Sequence, residues 1–186
     1  MNLPGFGPSR SLVRLCLFLF SLLGAHLPAQ AAVEISFYSR EMNGDNFPHA
    51  FVALRGTVDG TGAAVDTSFG FTAKAVTPAI LLGSVGGEVV FEGPNQIARS
   101  DRQFSLVLTD EQYGAALAVA ERWRNRPQPS YNMNRRNCVH FVGEIAQAIG
   151  LNVEFPRGLM KRPRSYLQHI RRLNPQLAPA EPVQTP

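Results

Sequence analysis

The chain has 186 residues, of which 45% are hydrophobic, and carries two cysteines and a formal net charge of +4. This length and composition suit one domain with a substantial core. The sequence contains no nucleic-acid-binding module, no metal-ligand spacing and no phosphate-cradling loop. We therefore expect no nucleic-acid partner and no metal or other cofactor.

The first 31 residues have the pattern of a secretory signal peptide. Arg10 and Arg14 precede a short apolar run, Leu15 to Leu23, and Ala29 and Ala31 provide the small residues for cleavage after Ala31. The run is short for a membrane span, and an uncleaved anchor is the alternative. We expect a periplasmic or secreted protein whose net charge falls from +4 to +2 when these two arginines are removed.

Strand patterns occupy the first half of the remaining chain. Alternating or continuous apolar runs bounded by turn residues predict five strands. These are Val33 to Tyr38, His49 to Val58, Ala64 to Ala73, Gly87 to Glu92 and Gln103 to Thr109. Asp59 to Gly62 predicts a turn that makes the second and third strands antiparallel partners. Ala79 to Val85 is ambiguous between a short helix and a loop.

Helical patterns follow the strands. Thr109 caps a helix that continues to Arg124, a second helix runs from Cys138 to Gly150, and a third spans about Arg164 to Leu173. Strands followed by helices indicate an α+β domain. We predict that it covers residues 32–173, with an antiparallel sheet of about four to five strands packed on the cysteine helix and flanking helices. The tail, 174–186, is rich in proline and alanine and is predicted to be disordered.

Cys138 is the only cysteine expected to remain after signal cleavage. It lies where a polar loop becomes an amphipathic helix, and Asn137 or Asn134 can cap that helix. A thiol in the first helical turn meets the positive end of the helix dipole, which favours the thiolate. An unpaired thiol in an exported protein is usually a nucleophile or an intermolecular bridge. A small buried cysteine without chemistry is the alternative.

Three histidines follow the signal segment and could serve as a base. His140 lies two residues from Cys138, about 200° around a helix, so the two side chains should point apart. His169 falls between the apolar positions of the last helix and should face solvent. His49 opens a strand and shares a face with Phe51, so a cysteine helix packed on that face would bring the sulfur within reach. A core histidine bonded to a backbone carbonyl is the alternative.

The cysteine segment resembles a known signature. Asn-Cys-x-His-Phe-Val-x-Glu at 137–144, preceded by Tyr131, resembles the Asn-Cys-Glu-His-Phe signature of the lecithin:retinol acyltransferase family. That family belongs to the circularly permuted members of the papain-like, NlpC-type superfamily, in which a histidine strand precedes the cysteine helix. The strand that begins at His49 looks like this histidine strand. Val139 replaces the glutamate of the signature, on a side of the helix away from the cysteine.

The resemblance implies a permuted papain-like fold and a set of roles. Cys138 would be the nucleophile, His49 the general base and acid, and the Cys138 backbone N–H an oxyanion donor. Asn137 and Tyr131 are expected to position the substrate.

Family members often carry a second histidine or other polar residue on the next strand, which orients the base. Residues 66–73 contain no histidine. Thr72 is the preferred substitute because the hairpin register brings it opposite His49. Ser68 and Asp66 are the alternatives.

The predicted function is that of an exported cysteine hydrolase that cleaves amide bonds, in murein peptide or a similar polymer, through a thioester. A lipid-directed thioesterase, phospholipase or acyltransferase is the first alternative, with Ala79 to Val85 as its apolar face. A non-catalytic binding domain is the second, supported by the missing histidine. Basic residues late in the chain favour a solvated helical face, and peripheral contact with an anionic surface is the alternative.

Overall fold

The computed structural model describes residues 32–42 and 47–177. The predicted signal peptide lies outside these residues, as does the predicted tail beyond Leu177. No helix in the described ranges is long and apolar enough to cross a membrane.

Five strands form one antiparallel sheet with the order β4-β3-β2-β1-β5. The strands are β1 (Val33–Arg40), β2 (His49–Thr57), β3 (Ala64–Ala73), β4 (Gly87–Val90) and β5 (Asp101–Leu108). The second and third strands pair across the predicted turn, with Thr57 opposite Ala64. β2 is central, and its first six residues are all buried, which explains its unbroken apolar sequence.

Five α-helices accompany the sheet within residues 32–42 and 47–177. They are α1 (Ala79–Leu82), α2 (Pro94–Ala98), α3 (Asp110–Arg124), α4 (Cys138–Ala148) and α5 (Pro163–Leu173), with a 3-10 turn at Arg157–Leu159. Thr109 caps α3 through the predicted capping box, because its hydroxyl accepts from the Gln112 N–H while the Gln112 side chain accepts from the Thr109 N–H. The sequence did not predict α2, since five residues are too few to display a helical period.

The core lies between the sheet and α3, α4 and α5. Ala50, Val52 and Leu54 of β2 share one apolar cluster with the buried side chains of α4, including Phe141 and Ile145. The predicted α+β class, with an antiparallel sheet packed on the cysteine helix and its neighbours, is confirmed. The order of a histidine strand before a cysteine helix is consistent with the predicted permuted papain-like arrangement.

The predicted disordered tail begins too early. Asn174 is fully buried, and its side-chain amide donates to the carbonyls of Asn152 and Ile170, both at 2.8 Å. Leu177 is buried in the core cluster. The domain therefore continues at least to Leu177. The hydrogen bonds of Asn174 and the burial of Leu177 hold this segment on the domain, although its composition is typical of a disordered tail.

Candidate active site

The site forms where two neighbouring strands separate. The pairing of β2 with β3 stops at Phe51 and Gly70, whereas β3 continues alongside β4. The first residues of β2, His49 and Ala50, therefore lie beyond this ladder. The N-terminus of α4 approaches this opening, and the Ala50 backbone N–H lies near enough to the Cys138 sulfur to lower the pKa of the thiol.

The imidazole of His49 lies between the sulfur of Cys138 and the carboxylate of Glu92. The ring lies close enough to the cysteine for each group to shift the pKa of the other, and its Nε2 is 3.0 Å from Oε1 of Glu92. The ring N–H does not point straight at that oxygen, so the contact is an ion pair rather than a linear hydrogen bond. Because Nε2 faces Glu92, we infer that the other ring nitrogen, Nδ1, faces the sulfur of Cys138. All three residues are buried.

The contact between His49 and Cys138 shifts their pKa values in the direction opposite to the effect of burial. Burial disfavours charge, so by itself it would lower the pKa of His49 and raise the pKa of Cys138. The contacts with Cys138 and Glu92, and the negative charge of both groups, instead raise the pKa of His49 to about 9. The histidine and the backbone N–H groups of Ala50 and Val139 lower the pKa of Cys138 below its usual 9.0. The arrangement favours a thiolate–imidazolium pair near neutral pH.

The cysteine helix does not pack on the sheet face that the sequence predicted. The cysteine helix packs on the sheet face that carries Val52, whereas His49 shares the opposite face with Phe51, whose ring centroid is 6.1 Å away. The prediction that α4 packs on the His49 face is therefore wrong. The structure still brings Cys138 and His49 together, because they meet at the end of the strand, in the gap beside β3.

The group beside the histidine is Glu92, and the Thr72 prediction is wrong. β2 and β3 separate before the expected His49–Thr72 pair, and Thr72 instead lies opposite Glu88 on β4. The chain beyond β4 then brings the Glu92 carboxylate to the ring.

The two alternatives to Thr72 also lie elsewhere. Asp66 is exposed and pairs with Arg55 at 3.1 Å. Ser68 is buried and fixes the backbone of Glu92: its hydroxyl accepts from the Glu92 N–H at 2.7 Å and donates to the Glu92 carbonyl at 2.9 Å. Ser68 thus supports the carboxylate without touching the histidine.

Arg40 keeps the Glu92 carboxylate ionised. Arg40 is opposite His49 in the β1–β2 register, and its Nη1 lies 3.8 Å from Oε2 of Glu92. Burial would raise the pKa of Glu92, but the contact with His49 and the charges of His49 and Arg40 lower it. Glu92 can therefore stabilise the imidazolium as a full negative charge.

Gly70 provides the space that the His49–Glu92 pair occupies. A Cβ at this position would lie 2.6 Å from His49 Nε2 and 2.9 Å from Glu92 Oε1, closer than nonbonded atoms approach. Only glycine therefore allows the two side chains to meet on this face of the sheet.

We expect Gly70→Ala to separate His49 from Glu92 and slow the alkylation of Cys138. Overpacking of this kind should also lower the free energy of unfolding by about 1–3 kcal/mol. Iodoacetamide labelling and urea unfolding measure the two effects. Gly114→Ala is the matched control, since its Cβ would meet nothing within 4 Å and it lies inside α3. Equal labelling rates in both variants would contradict the role of Gly70.

The side-chain amide of Asn137 is hydrogen-bonded to the backbone of neighbouring residues. Its Oδ1 accepts from the backbone N–H groups of Val139 at 2.9 Å and His140 at 3.2 Å, and its Nδ2 donates to the carbonyls of Met133 at 2.8 Å and Met160 at 2.7 Å. Asn137 also lines the groove, but these four bonds engage both of its polar atoms, so its predicted substrate-positioning role stays a prediction. Asn137 caps α4 and fixes the residue that follows it, the cysteine.

Asn137→Ala should lower the free energy of unfolding by about 2–4 kcal/mol, since it removes the helix cap and leaves buried carbonyls unpaired. Asn134→Ala is the control, because Asn134 is exposed and does not cap the helix. It should change stability by about 0.5 kcal/mol or less. Urea unfolding of both variants tests the assignment, and equal losses would refute it.

The other two histidines lie away from the sulfur. His140 points off the far side of α4, where its Nδ1 lies 2.9 Å from Asn137 Oδ1, as expected from its spacing to Cys138. His169 is partly exposed and pairs with Glu154 at 3.1 Å.

Tyr131 lies next to the cysteine on the wall of the site. Its ring stacks on Phe71 with centroids 5.9 Å apart. Burial and the nearby charge of Cys138 raise the pKa of Tyr131 to about 12, so the phenol keeps its proton and can donate it in a hydrogen bond. This placement leaves the predicted positioning role open to it.

A groove of about 810 Å³ opens onto Cys138, His49 and Glu92. Its walls are largely apolar and include Phe71 and Ile80. The Cys138 backbone N–H has no hydrogen-bond acceptor among the described residues, so it can serve as a donor at the helix N-terminus. Within residues 32–42 and 47–177, no cluster of three or more histidine, cysteine or acidic side chains could hold a metal ion.

Comparison with known proteins gives little beyond the fold. No family model matches the chain, and no curated protein matches it. One similar solved structure is the type VI secretion system effector TseH, at 16% identity and a TM-score of 0.49, covering 77% of this chain and 89% of that chain. At these values the likeness carries no argument about activity. The resemblance to the lecithin:retinol acyltransferase family receives no support from these comparisons.

Proposed function

We propose that this chain is a cysteine hydrolase that cleaves an amide or ester carbonyl through a thioester on Cys138. The observation that carries the proposal is the buried contact of Cys138, His49 and Glu92 at the end of an open groove. A nucleophile, a base and a group that orients the base are the parts that such a reaction needs.

In the first half of the reaction, the Cys138 thiolate attacks the carbonyl carbon, and the carbonyl electron pair moves to oxygen. The free Cys138 N–H stabilises this oxyanion. The tetrahedral intermediate then collapses, and the His49 imidazolium transfers its proton to the leaving nitrogen or oxygen. The products are the thioester and a neutral imidazole.

In the second half, neutral His49 takes a proton from a water molecule, and the resulting hydroxide attacks the thioester carbonyl. Collapse of this second intermediate releases the carboxylic acid and regenerates the thiolate beside the imidazolium. Glu92 holds the ring in one orientation and stabilises its positive charge throughout, as the buried acid of a triad does. Tyr131 is proposed to position the substrate.

The favoured substrate is a peptide amide, such as the peptide of murein, because an exported hydrolase would meet this polymer. Export is itself a proposal that rests on the sequence of the first 31 residues. A lipid-directed thioesterase, phospholipase or acyltransferase is the second candidate, and one observation favours it. The groove is walled by apolar side chains such as Phe71 and Ile80, which suit an acyl chain.

A non-catalytic binding domain has lost its main support. That alternative rested on the absence of a second histidine, and Glu92 now occupies the position beside His49. The lowered pKa of the Cys138 thiol also favours a catalytic role, because perturbed pKa values cluster at functional sites.

The test is to incubate the purified protein with murein, with peptide amides and with phospholipid vesicles, and to analyse it by intact mass. The proposal predicts that one substrate class is hydrolysed and that a transient acyl adduct forms on Cys138. Murein digestion would favour the amidase, and fatty-acid release would favour the lipid-directed enzyme. No turnover and no adduct, combined with alkylation no faster than that of a free thiol, would contradict both.

A further inference from the structure

Five large apolar side chains surround the mouth of the groove and are 58% to 89% exposed. We refer to them as the apolar rim: Phe47, Val76, Leu81, Leu82 and Phe91. All but Leu82 line the groove, and Leu82 follows Leu81 on α1. Of the eight large apolar side chains exposed in the part of the chain that the structure describes, these five meet at one place. Exposed apolar groups that cluster in this way usually mark an interaction surface.

The segment that carries α1 is held so that its leucines point outward. Ile80 is buried, which fixes the inner side of the short helix. The backbone of Val85 pairs with that of Tyr131 through two hydrogen bonds of 2.9 and 3.0 Å, which ties the segment beside the active site. Leu81 and Leu82 are therefore exposed by a fixed local structure.

Two exposed lysines and one exposed acid lie beside the groove: Lys161, Lys74 next to the lining residue Ala73, and Glu88 opposite the lining residue Thr72. Residues 74–86 contain a single charged residue, Lys74, and it is exposed. Lys161 also lines the groove and is exposed. The acid of the groove, Glu92, is buried against His49 and does not offset them. An apolar surface flanked by lysines is complementary to the acyl region and headgroups of an anionic bilayer.

We propose that the apolar rim docks on an anionic lipid bilayer. Leu81 and Leu82 enter the boundary between headgroups and acyl chains, while Lys74 and Lys161 lie among the anionic headgroups. A dimer formed through the rim would instead bring the lysines of two copies together and close both grooves. The bilayer matches the apolar and the basic parts of the surface at once.

The docking does not require Cys138 to be catalytic, so it goes beyond the proposed hydrolase. If the proposed function also holds, the groove opens toward the membrane. An acyl chain could then reach Cys138 without passing through water.

The experiment places a fluorescent reporter on the rim of the full chain. The sequence has one tryptophan, Trp123, which is buried and gives a constant background. Leu81→Trp adds an indole to the rim, and Val107→Trp adds one at a 63% exposed apolar position on β5 that does not line the groove. Each variant is titrated with phosphatidylglycerol-containing vesicles and with pure phosphatidylcholine vesicles, with and without brominated acyl chains.

We expect the L81W emission to shift to shorter wavelength and to be quenched by brominated lipid, at lower lipid concentration when the vesicles are anionic. The V107W emission should show neither change. Because each reporter is local, binding through any other segment would not produce this difference. Unchanged L81W emission, or equal changes in both variants, would overturn the proposal. So would a lipid-independent shift of L81W that grows with protein concentration, which would indicate self-association. Iodoacetamide labelling of Cys138 in the same samples shows separately whether the hydrolase site is intact.

Discussion

Cys138→Ser should reduce kcat/KM by about 10³-fold or more, on whichever substrate the wild-type protein turns over. His49 lowers the pKa of the Cys138 thiol, so the thiol can ionise. A serine hydroxyl in the same place would stay protonated. The substitution is nearly isosteric, so α4 should keep its cap and its packing. Steady-state kinetics and intact mass spectrometry measure the loss of turnover and of the acyl adduct.

The control for this prediction is a measurement of the stability of the variant. Urea unfolding of Cys138→Ser should match that of the wild type to within about 1 kcal/mol. Full turnover by a folded Cys138→Ser variant would show that the thiol is the inert buried cysteine of the alternative interpretation.

His49→Ala should slow the alkylation of Cys138 at neutral pH by about tenfold. Without the imidazolium, burial raises the pKa of the thiol and little thiolate remains. The fall in rate is smaller than the fall in thiolate, because a thiolate of higher pKa is the stronger nucleophile. Rates of iodoacetamide labelling, followed by mass, give the comparison directly.

Two further variants sharpen this result. His169→Ala removes a histidine that pairs with Glu154 away from the site, and it should leave the rate unchanged. Glu92→Gln keeps the shape of the side chain but removes its charge, so its rate should lie between those of the wild type and His49→Ala. A His49→Ala rate equal to that of the wild type would mean that the imidazole does not activate the sulfur.

The sequence, together with the family resemblance, marked Cys138 and His49 as candidates, while an inert cysteine and a core histidine remained the alternatives. Cys138 is marked by its position in a first helical turn and by the lack of a cysteine partner in the predicted exported chain. His49 remained after His140 was excluded by helical geometry and His169 by the pattern of its helix. Both arguments use local periodicity, which a sequence displays directly.

The remaining parts of the site depend on tertiary structure that local patterns encode only in part. Thr72 was predicted by extending the β2–β3 register, but the strands separate at Phe51 and Gly70. Gly70 was the local signal for this, because a glycine inside a strand often marks a bulge or a close approach of other groups. Glu92 appears in the sequence only as an acid at the end of a weak strand. Its approach to His49 depends on the path of the chain through residues 74–86 and on the space left by Gly70.

The measurement that tests the account most directly is the pH titration of the Cys138 thiolate by its ultraviolet absorbance, with Cys138→Ser as the blank. Because the pKa of Cys138 is lowered and that of His49 is raised to about 9, the ion pair should form as pH rises through the cysteine value and break above about pH 9. We predict a thiolate transition with its midpoint below 9.0, and a bell-shaped pH profile of activity whose alkaline limb lies near 9. A thiolate midpoint at or above 9.0 would contradict the proposed pair.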